Sequence, residues 1–281
     1  MRVRSLILAG ATLAGFGLPA DIGARAADYP VLRGSQIEDA PQPPSDYWGG
    51  ANWNGVYFGG FAGQTQTRFE SDKSVTALAN YAMLNTSIAS TLDVASLVAT
   101  LPRRDSGPTF GGFAGYNMQF GDAVIGFEAD YSRVDQSATA SRVEARRSGN
   151  EYFAIASAQD AELRDFFTLR ARFGYAFGRI MPYFTLGGAA GRFNTNVAVA
   201  TDWGTTDANG VRTGSYAGWP RVVGGPKKDV WGYGGVIGGG VEAALTDNVI
   251  LRAEYLFTRF NDVEGITTSL NTARVGAALK F

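Results

Sequence analysis

The sequence predicts an all-β protein: an eight-stranded antiparallel transmembrane β-barrel with short periplasmic turns and long extracellular loops. Three observations predict it. Residues Asn271 to Phe281 alternate with a period of two, which is a strand pattern and not a helix pattern. Ala273, Val275, Ala277, Leu279 and Phe281 fall on one side, and Thr272, Arg274, Gly276, Ala278 and Lys280 on the other. The 281 residues are 12% aromatic and 18% charged, with 37 Gly. An average chain carries about 25% charged residues, so this one is short of surface charge, as strands facing lipid require. Strand-like segments are also joined alternately by tight turns and long connections, the layout of barrels that cross a membrane.

The chain opens on an expected signal peptide, residues 1–26. Arg2 and Arg4 precede an apolar stretch from Leu6 to Leu18, followed by the cleavage pattern Ala24-Arg25-Ala26. A spanning helix needs roughly 20 apolar residues, and this stretch is shorter. Removing Arg2, Arg4, Arg25 and Asp21 leaves 22 basic and 25 acidic residues, a net charge of −3. A mildly acidic chain without a basic tract argues against nucleic acid as a partner. Residues 27–52 form a lead-in with Pro30, Pro41, Pro43 and Pro44, which cannot sit inside a sheet and is expected to be a periplasmic tether.

The barrel is expected over 53–281. Its first strand is W-N-G-V-Y-F-G-G-F-A-G (53–63), running on toward Phe69, with Trp53, Tyr57 and Phe61 on one face. The second, about 109–120, places Phe110, Ala114, Tyr116, Met118 and Phe120 together, and Gly121-Asp122 turns into the third, 123–134. There Ile125, Phe127 and Tyr131 point out, and Glu128 and Asp130 in. The fourth, 165–177, has Phe167, Leu169, Phe173 and Tyr175 outward against Arg170 and Arg172. Gly178-Arg179 turns into the fifth, 181–195. The sixth, 230–245, sets Trp231, Tyr233, Ile237, Val241 and Leu245 opposite Glu242. Thr246-Asp247-Asn248 leads into the seventh, 249–259, where Leu251, Tyr255 and Phe257 oppose Arg252 and Glu254; the closing strand is the eighth. Long connections are expected at 70–107, 136–164, 196–229 and 260–270. Within the first, Leu78, Ala82, Ile88, Leu92 and Ala95 approximate helical spacing over 74–101, with Pro102 as a stop.

Periodicity alone does not separate inside from outside. A soluble sandwich or lipocalin-like barrel uses the same alternation with its charges outward. The signal peptide, the closing Phe281, the asymmetry of the connections and aromatics near strand ends favour the membrane version.

These segments resemble a known group. V-I-G-F-E-A-D-Y-S (124–132), L-R-A-R-F-G-Y-A-F (169–177), M-P-Y-F-T-L-G-G-A-A-G (181–191), G-G-G-V-E-A-A-L-T-D-N (238–248) and L-R-A-E-Y-L-F (251–257), with the first and last strands, are similar to the small outer-membrane β-barrels of Gram-negative bacteria. That porin-like surface-antigen family is related in architecture to OmpA and OmpX. The resemblance implies export to the outer membrane and a non-enzymatic role in envelope integrity and surface display. It implies contact with outer-membrane lipids including lipopolysaccharide, and with the barrel-assembly machinery, for which Phe281 is the expected recognition point. A small-solute porin, and an adhesin or ligand-binding protein that meets a host or surface ligand through its loops, stay open as alternatives.

The inward charges are the main polar constellation. Glu128, Asp130, Arg170, Arg172, Glu242, Arg252, Glu254, Arg274 and Lys280 give four acidic against five basic residues. Neighbouring strands bring such side chains within pairing distance, and unpaired charges in a narrow lumen are costly, so an ion-pair network is expected. A charged conducting path is the other reading, but the interior of an eight-stranded barrel is just filled by its own side chains. Glu128 and Asp130 also suit acid–base chemistry, although two carboxylates beside two arginines are more simply salt-bridge partners. The sequence has no Cys and no His, which excludes Ser-His-Asp and Cys-His catalysis and histidine metal sites. No cofactor is expected, and haem lacks a histidine as axial ligand. Gly runs at 59–60, 111–112, 187–188 and 238–240 lie within strands, where they permit curvature and close packing instead of cradling a nucleotide. In the loops, Arg142, Arg146 and Arg147 stand beside a turn at Ser148-Gly149-Asn150. Trp203, Tyr216, Trp219, Arg221, Lys227 and Lys228 form an aromatic and basic set; an ordinary exposed hairpin is the favoured reading, and contact with sugars or lipid phosphates is the alternative.

Overall fold

A computed structural model describes residues 50–70, 72–87, 93, 97–98 and 102–281. The expected signal peptide and most of the lead-in, residues 1–49, lie outside the described residues, as do Ile88, Leu92 and Ala95.

The described chain runs β1 (Gly55–Glu70), α1 (Asp72–Ala82), β2 (Arg103–Phe120), β3 (Ala123–Ser148), β4 (Glu151–Tyr175), β5 (Ile180–Thr206), β6 (Arg212–Ser215), β7 (Arg221–Ala244), β8 (Val249–Val263) and β9 (Ile266–Lys280). Eight of the strands pair antiparallel in the order β4-β3-β2-β1-β9-β8-β7-β5, and β4–β5 pairing closes the ring. The ninth, β6, is a four-residue strand on the far end of β5.

Outward faces carry the apolar residues the alternation predicts. Phe110, Phe127, Phe167, Leu169, Tyr233 and Val275 are each about half exposed or more, as side chains meant for lipid are. Aromatic pairs mark two heights: Phe58 with Phe281 (5.4 Å) and Tyr175 with Phe177 (4.8 Å) at the short-turn end, and Tyr131 with Phe167 (4.9 Å) at the other. Such girdles sit where a membrane meets water.

The long connections differ from expectation. Only about 9–11 residues are needed to cross a bilayer, yet β3, β4, β5 and β7 have 26, 25, 27 and 24. The segments 136–164 and 196–229 are therefore mostly strand, and 260–270 is a hairpin whose turn is Glu264-Gly265. The turn at Gly149-Asn150 falls where expected, but it joins two strands directly. Pairing of β2 to β3 ends at Phe110–Arg133, and β7 to β8 begins at Gly234–Phe260. Above those heights β3, β4, β5 and β7 continue as an open sheet, which at ~3.3 Å per residue and a tilt near 40° rises roughly 35 Å. Its β7 edge is guarded by Gly224, Gly225, Pro226, Lys227 and Lys228, residues that discourage strand addition.

Where the sheet leaves the ring, its register is interrupted: between Arg133 and Gln136, Leu163 and Asp165, Phe193 and Thr195, and Phe260 and Val263. Asp135, Asp229 and Asp262 adopt positive φ at or beside three of these bulges. On β4 the extra residue changes the inward parity from Phe153, Ile155 and Leu163 to Phe166, Thr168 and Arg170.

The interior is filled in three levels. At the short-turn end Trp53, Val124, Met181 and Ile250 form an apolar floor. Trp53 is fixed by its backbone N–H donating to Gln119 Oε1 (2.7 Å) and its indole N–H donating to the Gly178 carbonyl (3.3 Å). A charged level follows. Above it Phe166, Phe193, Phe260, Val199, Val263, Ile266 and Leu270 make a second apolar core. Helix α1 closes that core with Val75 and Ala79, joined by Met83 in the turn that follows; the three are spaced four apart and fully buried. The helix ends at Ala82; Leu97 and Val98 are helical again before Pro102, and most of the residues between lie outside the described residues.

Two glycines make room for lumenal rings. A Cβ on Gly111 would lie 2.7 Å from Phe61 Cζ, and one on Gly232 2.7 Å from Phe193 Cε2.

Candidate functional site

Of the nine charges the sequence places inward, eight converge at one level of the lumen. Three acid–arginine pairs are direct cross-strand partners: Glu128 with Arg170, Glu242 with Arg252, and Glu254 with Arg274. The rest connect across the interior, which is why strand neighbours alone do not define the network.

Arg170 is the hub. It contacts Glu128, Asp130 Oδ2 (2.8 Å) and Glu254 Oε1 (2.7 Å), with no side-chain exposure on any of the four. Arg172 donates to Glu242 Oε1 (2.8 Å) and to the Tyr57 hydroxyl oxygen (2.6 Å). Arg252 holds Glu242 through Nε (2.9 Å) and Nη2, and its Nη1 lies 2.8 Å from Glu128 Oε2, a charge contact poorly aligned for a hydrogen bond. Arg274 donates to Glu254 Oε2 from Nε (2.7 Å) and reaches Asp130 Oδ2 at 3.3 Å. Thr168 and Ser132 hydroxyls donate to Asp130, and the Tyr57 hydroxyl donates to Glu128 Oε2 (2.8 Å).

Three of the guanidiniums also stack on aromatic faces: Arg252 on Phe113 (4.0 Å), Arg274 on Phe61 (4.0 Å) and Arg172 on Tyr183 (4.1 Å). Periodicity did not assign these rings to the charged level. The signal available was parity, since Tyr57 and Phe61 share their face with Gly55, Gly59 and Gly63, and that face is the lumenal one.

Lys280 is the exception among the expected members. It is buried on the same inner face, but among the described residues it forms no ion pair; its backbone N–H donates to the Asn248 carbonyl (2.8 Å) near the short-turn end. The layer therefore holds four arginines and four carboxylates and is neutral. Arg172 Nε, Glu242 Oε2 and the Tyr183 hydroxyl have no hydrogen-bond partner among the described residues. Such loose ends, with the desolvation of eight charges, make the layer a poor source of net stability compared with an apolar filling of equal volume. Its physical effect is occupancy: bulky, mutually held side chains across the whole lumen, with apolar levels on both sides. Glu128 and Asp130 are each held by arginines, as salt-bridge partners.

The aromatic residues of the former third loop pack on one another at the far end of the sheet. Trp203 meets Tyr216 (4.3 Å) and Trp219 (6.0 Å), and Arg221 lies 4.5 Å above the Trp219 ring. Lys227 pairs with Glu264 (2.6 Å), and Arg142 and Arg146 pair with Glu144.

Comparison with known proteins agrees with this architecture. Residues 40–281 match the family model described as outer membrane protein beta-barrel domain. The 31 kDa outer-membrane immunogenic protein of Brucella melitensis is 30% identical over 249 residues, covering 82% of this chain and 84% of the relative. The 25 kDa outer-membrane immunogenic protein of Brucella abortus is 30% identical over 181 residues, 61% of this chain, and the match spans 64% of that relative's own length. Among solved structures, Ail of Yersinia pestis is 12% identical, with 81% of this chain and 99% of that chain covered and a TM-score of 0.36. The N-terminal barrel domain of Pseudomonas aeruginosa OprF is 11% identical, with 81% and 98% covered and a TM-score of 0.38.

Proposed function

The chain belongs to the outer membrane protein β-barrel family and is a surface-antigen-like barrel of the Gram-negative outer membrane; from that premise we propose that it works as an occluded anchor that carries an elongated β-sheet to the cell surface. The observation that carries this reading is the filling of the lumen at three successive levels: the Trp53 floor, the neutral arginine–carboxylate layer, and the apolar core closed by α1. A solute would have to displace all three. The role is non-enzymatic, consistent with the arginine-bound state of every lumenal carboxylate in the layer. The sheet formed by β3, β4, β5 and β7 is the displayed element, and its contacts would be with outer-leaflet lipids, lipopolysaccharide included, or with a ligand outside the cell. Phe281, exposed and stacked on Phe58, would be the mark read by the barrel-assembly machinery.

Uptake of a small sugar by liposomes carrying the refolded mature chain tests the occlusion. Swelling no faster than in protein-free liposomes is expected. Swelling that scales with the amount of protein would replace this reading with that of a small-solute porin.

A further inference from the structure

Just above the height where the ring opens, a cavity of about 650 Å³ lies between α1, the distorted stretch of β7 and the β8–β9 turn. Pockets of 300–1,000 Å³ with apolar walls and few polar groups are the usual size and character of small-molecule sites. Here Leu78, Val197 and Pro226 supply the apolar wall. Gly224 helps to keep it open: with φ +89°, it passes so near α1 that a Cβ would lie 3.1 Å from Leu78 Cδ1.

Four polar side chains line the cavity, and two of them, Lys227 and Glu264, pair with each other. Thr195 is 5% exposed and lines the cavity, where its hydroxyl can pair with a polar atom of a ligand. Lys227 is already neutralised by Glu264 at 2.6 Å. Asp262, at the rim, forms no ion pair among the described residues. The lining therefore carries one uncompensated charge, and it is negative. An anionic ligand would face Asp262 and would have to share Lys227 with Glu264. A cation meets a free carboxylate without breaking anything.

We propose that this cavity is a binding site for a small amphipathic amine, its apolar body against Leu78, Val197 and Pro226 and its ammonium at Asp262. The Thr195 hydroxyl accepts or donates one hydrogen bond to a polar atom on the ligand body. The site goes beyond the anchor role: it lies between α1 and the inner face of β5 and β7, above the charged level of the lumen.

The test uses the full mature chain in phosphatidylcholine nanodiscs, with empty nanodiscs as the baseline, and a matched pair of water-soluble probes: tryptamine and indole-3-acetate. Both have the same ring and opposite charge. Saturation-transfer NMR is expected to give tryptamine binding at least tenfold tighter than indole-3-acetate. Asp262→Asn, an exposed change at a left-handed position that Asn tolerates, should erase that preference. Leu78→Trp, which fills the cavity, should abolish binding of both, with unboiled gel mobility confirming that the barrel is folded. Equal binding of the two probes, tryptamine binding unchanged by Asp262→Asn, or no binding above the empty nanodisc would each overturn the proposal.

Discussion

Arg170→Met removes the hub of the lumenal layer. Arg170 contacts three carboxylates, and without it the layer passes from neutral to one net negative charge with no solvent to screen it. None of the three is left alone: Glu128 keeps Arg252, Asp130 keeps Arg274 and Thr168, and Glu254 keeps Arg274. Breaking a buried pair by removing one partner costs about 3–5 kcal/mol. The remaining arginines place the expected loss at the lower end, about 3 kcal/mol, roughly a hundredfold in the folding equilibrium. Glu254→Gln in the same chain restores neutrality while keeping shape. The double variant should therefore be more stable than the sum of the single losses by about 1–3 kcal/mol, the coupling expected of groups in one network. Urea unfolding in phospholipid vesicles, followed by tryptophan fluorescence and unboiled gel mobility, measures all three variants at neutral pH. Additive losses, or an Arg170→Met variant within about 1 kcal/mol of the parent, would refute the view that the layer is one charge-balanced unit.

Three further outcomes are expected. Ala79→Asp puts an unpaired carboxylate into the upper apolar core, a cost of several kcal/mol that matches or exceeds the roughly 3–6 kcal/mol gained by burying the α1 face. Limited proteolysis should then cut α1 while the barrel keeps its heat-modifiable gel shift; a helix still protected would contradict the docking energetics. Outside the membrane band, the Asn194 amide (2.9 Å), and then Arg164 (3.1 Å), hold the Glu162 carboxyl below the usual carboxylate range against slight burial. Because the folded pKa is the lower one, this contribution to stability is present above the unfolded value of about 4.3 and is lost as pH falls through the folded value. Asn194→Ala should raise the Glu162 midpoint in a carbon-detected NMR titration, and an unmoved midpoint would show that the amide is not the cause. Deleting Phe281 should reduce the amount of folded barrel in the outer membrane more than it changes the permeability of what does assemble; unchanged assembly would remove its role as a recognition mark.

The parts of the fold legible in the sequence are those in contact with lipid. From 123 to 133 and from 165 to 175, aromatic and charged residues alternate sharply because one face meets hydrocarbon and the other a packed lumen. Above the girdle that contrast disappears. Ser137, Ala138, Thr139 and Ala140 are all small, since their outer face meets water and their inner face a modest apolar core, so an extended strand there looks like a loop. The bulge beside Asp165 hides the pattern further, because it makes Leu163 and Phe166 share the inner face at a spacing of three. The charged site was legible residue by residue, but its closure was not. Arg170 reaches Glu254 across 84 positions of chain, and Arg274 reaches Asp130 across 144, contacts that only ring closure creates. Lys280 illustrates the converse: parity put it on the right face, while its height on the strand kept it out of the network.

The account's central claim is that this barrel is closed to solutes by its own side chains. Planar-bilayer recording on the refolded mature chain tests it most directly. The account predicts a membrane that keeps its baseline conductance after insertion has been verified by protease protection of the strands. Stable, stepwise conductance increments that persist with purified, heat-modifiable protein would contradict it.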